Sequence, residues 1–447
     1  MWYLLYNGLL VIASPVILAI LLAKPRCRQG LTQRLGFSAP PIIPDARPLV
    51  WMHAVSLGEV VAITPLVEEL HRRHPDHRFV VSTATETGRD AVKQRLAGIA
   101  EHLYAPLDFP WSVSRTVARL RPALYIFIET ELWPNLLRYL SNRGVPTIMV
   151  NGRLSSSSYA RQQWGPVRSF YGAMLRSLRL CLMQSDRDAE RIISLGADPK
   201  SVRRTGNIKF DQPLPTSHGQ KVTKASLGIA EEAPLIVAGS THPREEDMLV
   251  HAYTSIIKRY PTARLLLAPR HIERAEAVEA MIRDRGLTVR RRSAWDHSSG
   301  KEGGGAQVVI LDTRGELALV YQEATVAFVG GTLIPIGGHN LLEPAFWGKP
   351  VLFGPYTDHC VEIADLLVQA GGGRRVMQVD DLTQQLLQLF DQPEMRARMG
   401  QAAQSVVRQN QGALRETIEA IDSVLASTRP NHLSSFSQES FPLMAGR

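Results

Sequence analysis

The segment from Val326 to Phe353, VAFVGGTLIPIGGHNLLEPAFWGKPVLF, joins an apolar run, two pairs of glycines and an acid-bearing helix start. Gly330, Gly331, Gly337 and Gly338 let a backbone approach a phosphate where a side chain would block it. Asn340 can cap the following helix, whose first-turn N–H groups and dipole favour an anion. Glu343 stands three residues after that cap, and Pro344 lies in the first turn, where its missing N–H costs no helical bond. A nucleotide phosphate site is one reading, and a capping box that merely starts a helix is the other. Upstream, Ser56-Leu57-Gly58-Glu59 offers a second carboxylate with the same ambiguity, as a general base or as the closing member of a capping box.

Such groups need a scaffold, and the hydrophobic pattern supplies one. Leu49–Ala54, Phe79–Ser82, Leu124–Ile128, Thr147–Val150 and Cys181–Met183 read as strands, separated by amphipathic stretches such as Val60–His71 and Trp133–Asn142. After a polar interruption the alternation resumes with Leu235–Ala238, Leu265–Ala268, Val308–Leu311, Val326–Val329 and Val351–Phe353, and it ends in helical sequence. This predicts an α/β protein of two doubly wound parallel-sheet domains facing a cleft. Residues 1–23 are expected as a membrane anchor, 24–210 as the first domain, 211–222 as the linker, 223–426 as the second domain and 427–447 as a disordered tail. Ligands of open parallel sheets bind beyond the carboxyl ends of the strands. The residues at the ends of the runs are therefore the candidates: His53–Glu59 and Glu129–Pro134 in the first half, and Gly239–His242, Pro269–His271, Asp312–Glu316 and Gly330-Gly331 with the Gly337–Glu343 helix start in the second.

A length of 447 residues fits two cores better than one. The formal charge of +9, from 51 basic and 42 acidic residues, suits lipid head groups or phosphate-bearing substrates more than nucleic acid. Three widely spaced cysteines, Cys27, Cys181 and Cys360, fit a reducing cytosolic compartment. Residues 2–23 carry no charge and are long enough to span a bilayer. Lys24, Arg26, Arg28 and Arg34 follow, which by the positive-inside rule places the body of the protein in the cytoplasm. Gly8 and Pro15 leave open a kinked segment lying in the interface. A cleaved signal peptide would need basic residues before the apolar run and a small-residue cleavage site after it, and neither is present.

The motifs HAVSLGE, ETELWPN, TGNIKFD, GSTH, PRH, DTRGEL and GGHNLLEP, in this order from about Arg34 to Gly354, resemble the family of 3-deoxy-D-manno-octulosonic acid (Kdo) transferases. The resemblance implies a GT-B-like fold and transfer of Kdo from CMP-Kdo to a lipid A precursor, at the cytoplasmic face of an inner membrane with anionic lipids. It further implies inversion at the anomeric carbon without a metal, no cofactor beyond the donor substrate, no nucleic acid and no obligate protein partner. Glu59 is then the base, with Ser56 beside it and Gly58 allowing a sugar to approach. Glu129 and Glu131 orient the acceptor or the base, or are solvated or paired. Arg270 and the Gly337-Gly338 turn meet the CMP phosphate, Glu343 a ribose hydroxyl, and Ser240, His242, His271 and Asn340 surround them. Lys209 and Arg314 are cations for the donor carboxylate or members of surface ion pairs. Two other readings stay open from the glycine-Glu device alone: a UDP-sugar enzyme of the same fold, and an inactive membrane-tethered lipid- or nucleotide-binding module.

Two groupings imitate metal sites. Asp186-Arg187-Asp188 offers a D-x-D pattern, but Ser185 and Asp188 have capping-box spacing, and residues two apart do not share a helix face. His71, His74 and His77 lie at a helix end rich in Arg and Asp and are read as a solvated surface. No metal site is expected at either place.

Overall fold

The computed structural model describes residues 2–23, 28–38, 45–212, 222–294 and 305–427. The chain divides into two compact units, Met1–Gln212 with Gln411–Arg447, and Pro213–Asn410. The first carries seven parallel strands: β1 (Leu49–His53), β2 (Arg78–Thr83), β3 (Ala100–Tyr104), β4 (Pro122–Ile128), β5 (Thr147–Gly152), β6 (Leu180–Met183) and β7 (Val202–Arg204). Their spatial order is β3-β2-β1-β4-β5-β6-β7. Helices cover both faces, so both sets of alternating side chains are buried. Val50, Met52, Leu124 and Ile126 enter one apolar cluster, and Leu49, Trp51, Tyr125 and Phe127 enter the other. That two-sided burial is why the interior strands are mainly apolar runs and lack polar alternation.

The second unit repeats the plan with β8 (Leu235–Thr241), β9 (Arg264–Pro269), β10 (Val289–Arg291), β11 (Val308–Ile310), β12 (Val326–Val329), β13 (Val351–Phe353) and β14 (Gly373–Arg375). Their order is β10-β11-β9-β8-β12-β13-β14. Both sheets reverse direction of growth once, between β1 and β4 in the first and between β8 and β12 in the second. In open parallel sheets such a switch point, beyond the carboxyl ends of the strands, is where ligands bind.

Four strands escape the hydrophobic pattern, and all four are sheet edges: β3, β7, β10 and β14. An edge strand has a neighbour on one side only and tolerates short, charged sequences such as VRR and GRR.

The domain boundary drawn from the sequence is corrected at the carboxyl end. Helix Ala413–Ser427, expected in the second domain, belongs to the first unit, where Ile418, Ile421, Val424 and Leu425 join the cluster of Val60, Ile63, Val67 and Leu70. Asp211 accepts the N–H groups of Gly412 and Leu414 and fixes the start of that helix. Its apolar stripe is legible in the sequence, but not the sheet that the stripe covers. Most of the expected linker, residues 213–221, and the tail from residue 428 lie outside the described residues, as does Arg26.

Helix Trp2–Ala23 is long and apolar enough to cross a membrane. Its first turns dock on the first unit: Trp2, Tyr3 and Tyr6 surround Phe170, Tyr6 donates to Asp108 Oδ2 at 3.0 Å, and Asn7 exchanges hydrogen bonds with Asn135. Arg34, expected among the lipid-facing cations, is buried instead. Its guanidinium donates to the Ala84 carbonyl and lies over the Tyr104 ring.

Candidate active site

Helix Leu57–Arg73 starts at the β1 side of the first switch point, with Ser56 as its cap residue. The capping-box reading holds only in part. Glu59 reaches back to accept the Val55 N–H at 2.7 Å and the Ser56 hydroxyl at 3.1 Å, but the Ser56 side chain caps no helical N–H. Burial pushes the Glu59 carboxyl up to about 7, against the lowering pull of the Val55 N–H, and the Glu129 charge adds to the rise. A carboxylate with that affinity is matched to taking a proton near neutral pH. A Cβ on exposed Gly58 would meet nothing within 4 Å, so the space beside Glu59 is open.

Glu129 leaves β4 with φ 59°, a left-handed conformation that is uncommon for residues other than glycine and concentrates at functional sites. Its N–H still bonds the Val150 carbonyl, so the sheet holds the strain. Glu131 follows in the same turn, and burial, then the Glu129 charge, raises its carboxyl. Three carboxylates thus share the first switch point. Lys209 Nζ lies 3.5 Å from Glu129 Oε1. Its partner is therefore an acid of the first unit, and the ion-pair alternative describes Lys209 better than the donor-side role.

In the second unit, the turns after β8 and β12 are tied together by a residue that the sequence reading passed over. Glu245 is fully buried, and its carboxylate accepts the N–H groups of His242, Gly331, Thr332 and Leu333 at 2.7 to 3.0 Å. The only sequence signal was an acid pair, Glu245-Glu246, at the start of a helix, which reads as dipole compensation. Ser240, near the end of β8 where the pairing with β9 shifts register, has φ 54°, a left-handed conformation like that of Glu129 in the first unit.

The glycines serve the protein's own packing. A Cβ on Gly330 would lie 2.4 Å from the Ser240 carbonyl oxygen, one on Gly337 would strike the His359 ring, and one on Gly338 would crowd Cys360 Sγ. Gly337 and Gly338 also adopt φ 102° and 84°. They shape the turn, and the side on which a Cβ would project is already filled by His359 and Cys360. The helix behind them, Leu342–Phe346, has five residues, so its dipole is small. Asn340 accepts the Leu342 N–H and donates to Glu343 Oε1.

What the turn presents is a group of imidazoles beside Arg270. His242 Nε2 lies 2.8 Å from His339 Nε2 with the rings parallel, and His271 packs edge-on to His242. His339 and His359 were also passed over in the sequence. Burial, then the Arg270 charge, brings His339 down to about 4, so it is neutral at physiological pH. Burial raises Glu343 to about 7, with Asn340 and Arg270 pulling the other way. Arg270 leaves β9 with an exposed side chain, available to an anion. Arg314 is 82% exposed and 3.7 Å from the exposed Glu273, a surface pair.

Of the two metal look-alikes, the Asp188 N–H donates to Ser185 Oγ, as the capping-box reading requires, and the Asp188 carboxylate accepts the Leu154 N–H and the Ser185 hydroxyl, while Asp186 is exposed. The histidine cluster is different. His71 stacks edge-on to Phe79 and stays apart, but His74, Asp76 and His77 each place a ligand atom within 4.8 Å of the other two. Asp76 is exposed, as the solvated-surface expectation has it, while the two histidine side chains are mostly covered.

Residues 29–212 match the family model described as 3-Deoxy-D-manno-octulosonic-acid transferase (kdotransferase). The chain is 33% identical over 426 residues to the 3-deoxy-D-manno-octulosonic acid transferase of Haemophilus influenzae, covering 94% of this chain and 98% of the relative. It is 36% identical over 398 residues to that of Bordetella pertussis, covering 87% and 90%. Among solved structures, UDP-GlcNAc 2-epimerase from Neisseria meningitidis, bound to UDP-GlcNAc, superposes with a TM-score of 0.57 at 13% identity, over 85% of this chain and 100% of that one. The glycotransferase of kitacinnamycin gives 0.53 at 15% identity, over 85% and 99%. At such identities the likeness speaks for the GT-B fold alone. Two parallel sheets that each gather acids or imidazoles at a switch point, together with relatives matched over nearly their whole length, place this chain in the 3-deoxy-D-manno-octulosonic acid transferase family, and it is a glycosyltransferase.

Proposed function

We propose that the protein transfers Kdo from CMP-Kdo to a lipid A precursor in lipopolysaccharide biosynthesis, by a single inverting displacement that needs no metal. The carrying observation is the Glu59 carboxyl, raised to about 7 and held by Val55 and Ser56 at the switch point of the first sheet. In the reaction the acceptor hydroxyl oxygen bonds to the anomeric carbon of Kdo while the bond from that carbon to the CMP phosphate oxygen breaks. The hydroxyl proton passes to Glu59, and the electron pair leaves with CMP. The Glu129 and Glu131 carboxylates keep Glu59 basic by opposing its ionisation, and the Lys209 ammonium limits that repulsion.

On the donor side, Arg270 supplies a bidentate cation for the CMP phosphate, and Glu343 suits a ribose hydroxyl. The Glu245-fixed turns hold Ser240, His242 and Asn340 around them. The apolar helix Trp2–Ala23, followed by Arg28, suits attachment to the inner membrane with both units on the cytoplasmic side. The test is mass spectrometry of products from purified protein, CMP-Kdo and a tetra-acylated lipid A precursor. A Kdo adduct with CMP release is expected; turnover only with a UDP-sugar, or none with either donor, would overturn the reading.

A further inference from the structure

The turn between helix Leu57–Arg73 and β2 gathers groups that the transfer reaction does not use. His74 ends the helix, and the His77 N–H bonds the His74 carbonyl at 3.0 Å, which folds His74-Pro75-Asp76-His77 into a tight turn. The two imidazole rings lie 5.3 Å apart at 71°, and their side chains are only 19% and 13% exposed. Asp76 Oδ1 is 3.0 Å from His77 Nδ1. Ligands sharing a tetrahedral zinc ion at about 2.0–2.1 Å stand roughly 3.3 Å apart, so this pair is already spaced for a common ion.

We propose that His74, Asp76 and His77 form a structural site for a divalent transition ion of the zinc class. Two imidazoles and one carboxylate are the nitrogen and oxygen donors such ions take, and water completes the shell. Asp422 Oδ1, from helix Ala413–Ser427, lies 2.7 Å from His74 Nε2 and orients that ring, the role carboxylates play behind metal-bound histidines. Arg73 holds the other Asp422 oxygen at 2.9 Å, so the orienting acid is itself fixed. A bound ion would thereby fasten the turn and, through Asp422, the carboxyl-terminal helix to the first unit. Glu59 sits in the first turn of the same helix, roughly 20 Å away at 1.5 Å rise per residue. The ion therefore contributes to stability and not to the transfer chemistry.

The experiment is a calorimetric titration of the metal-stripped full-length protein with zinc ions, paired with thermal melts. One ion bound per chain and a raised Tm are expected, with turnover unchanged. His74→Asn and His77→Asn should each weaken binding by about tenfold or more and remove the Tm shift; Asp422→Asn should weaken it less. Since a variant can fail to fold, cobalt(II) added to the unaltered protein gives an independent reading. Ring NMR signals of His74 and His77, of the 13 histidines, should broaden first. No zinc binding by the unaltered protein, binding that survives in the His74→Asn/His77→Asn double variant, or cobalt broadening confined to other histidines would each overturn the site.

Discussion

Glu245 Oε2 accepts the Gly331 N–H at 2.7 Å, a bond that spans two adjacent strands of the second sheet and joins the turn after β8 to the turn after β12. Because the same carboxylate takes three more N–H groups, the shape of both donor-side turns depends on one buried side chain.

Glu245→Ala leaves those donors without a partner in a closed interior. We expect a loss of stability of about 3–5 kcal/mol, the scale of breaking a buried charged network, and donor binding weakened together with it. Glu245→Gln retains one acceptor oxygen and should fall between the two. Denaturant melts and CMP titration measure the pair; an unchanged melt for Glu245→Ala would show that the turns hold themselves.

Glu59→Gln is expected to leave CMP binding intact while lowering turnover by roughly two or more orders of magnitude. The base acts ionised, so kcat/KM should rise with pH up to about 7 and then level, and that limb should vanish in the variant. The stability sign is opposite. A carboxyl whose folded pKa is raised stabilises the fold below its ordinary value, near 4.5, and that contribution is lost as pH rises through about 7. Glu59→Gln should therefore melt higher than the parent at pH 8 and show no advantage at pH 4. A pH profile unchanged by the substitution would remove Glu59 from the base role.

Arg270→Ala should weaken CMP binding by about 1.5–3 kcal/mol, the range of a hydrogen bond to a charged group. Arg270→Lys should recover only part, since an ammonium cannot reproduce the guanidinium fork. Calorimetry with CMP decides it, and equal affinity for all three proteins would move the phosphate elsewhere.

Deleting residues 1–23 should leave a folded, CMP-binding protein with weakened membrane association. It also takes Tyr6 from Asp108, whose carboxyl burial has already raised to about 6, and uncovers Phe170. A lower Tm than full length is therefore expected. Tyr6→Phe alone should cost about 1 kcal/mol, the net worth of one hydrogen bond. Arg34 is buried and cannot help hold the truncated protein to anionic vesicles, so residual binding should be small and fade with salt. Co-sedimentation as tight as full length in high salt would reveal another anchor.

The sequence by itself determined the interior strands, because a strand buried on both faces is apolar along most of its length, and β1, β4, β8 and β12 are such strands. It also determined the residues beyond their ends, since in a parallel sheet those positions face ligand wherever the fold later turns. Glu59, Glu129 and Arg270 were legible as candidates for that reason, and the structure places each just beyond a strand end or at the helix start that follows one. The edges were not: β7 and β10 are both VRR, and nothing local separates them from loop. Only the tertiary structure decided which sheet helix Ala413–Ser427 covers, because its apolar stripe fits any sheet face. It decided likewise that Lys209 pairs with Glu129, that Arg34 is buried, and that the glycines near 337 make room for His359 and Cys360. Each of these depends on which residues distant in sequence come within a few ångströms, and spacing along the chain carries no record of that.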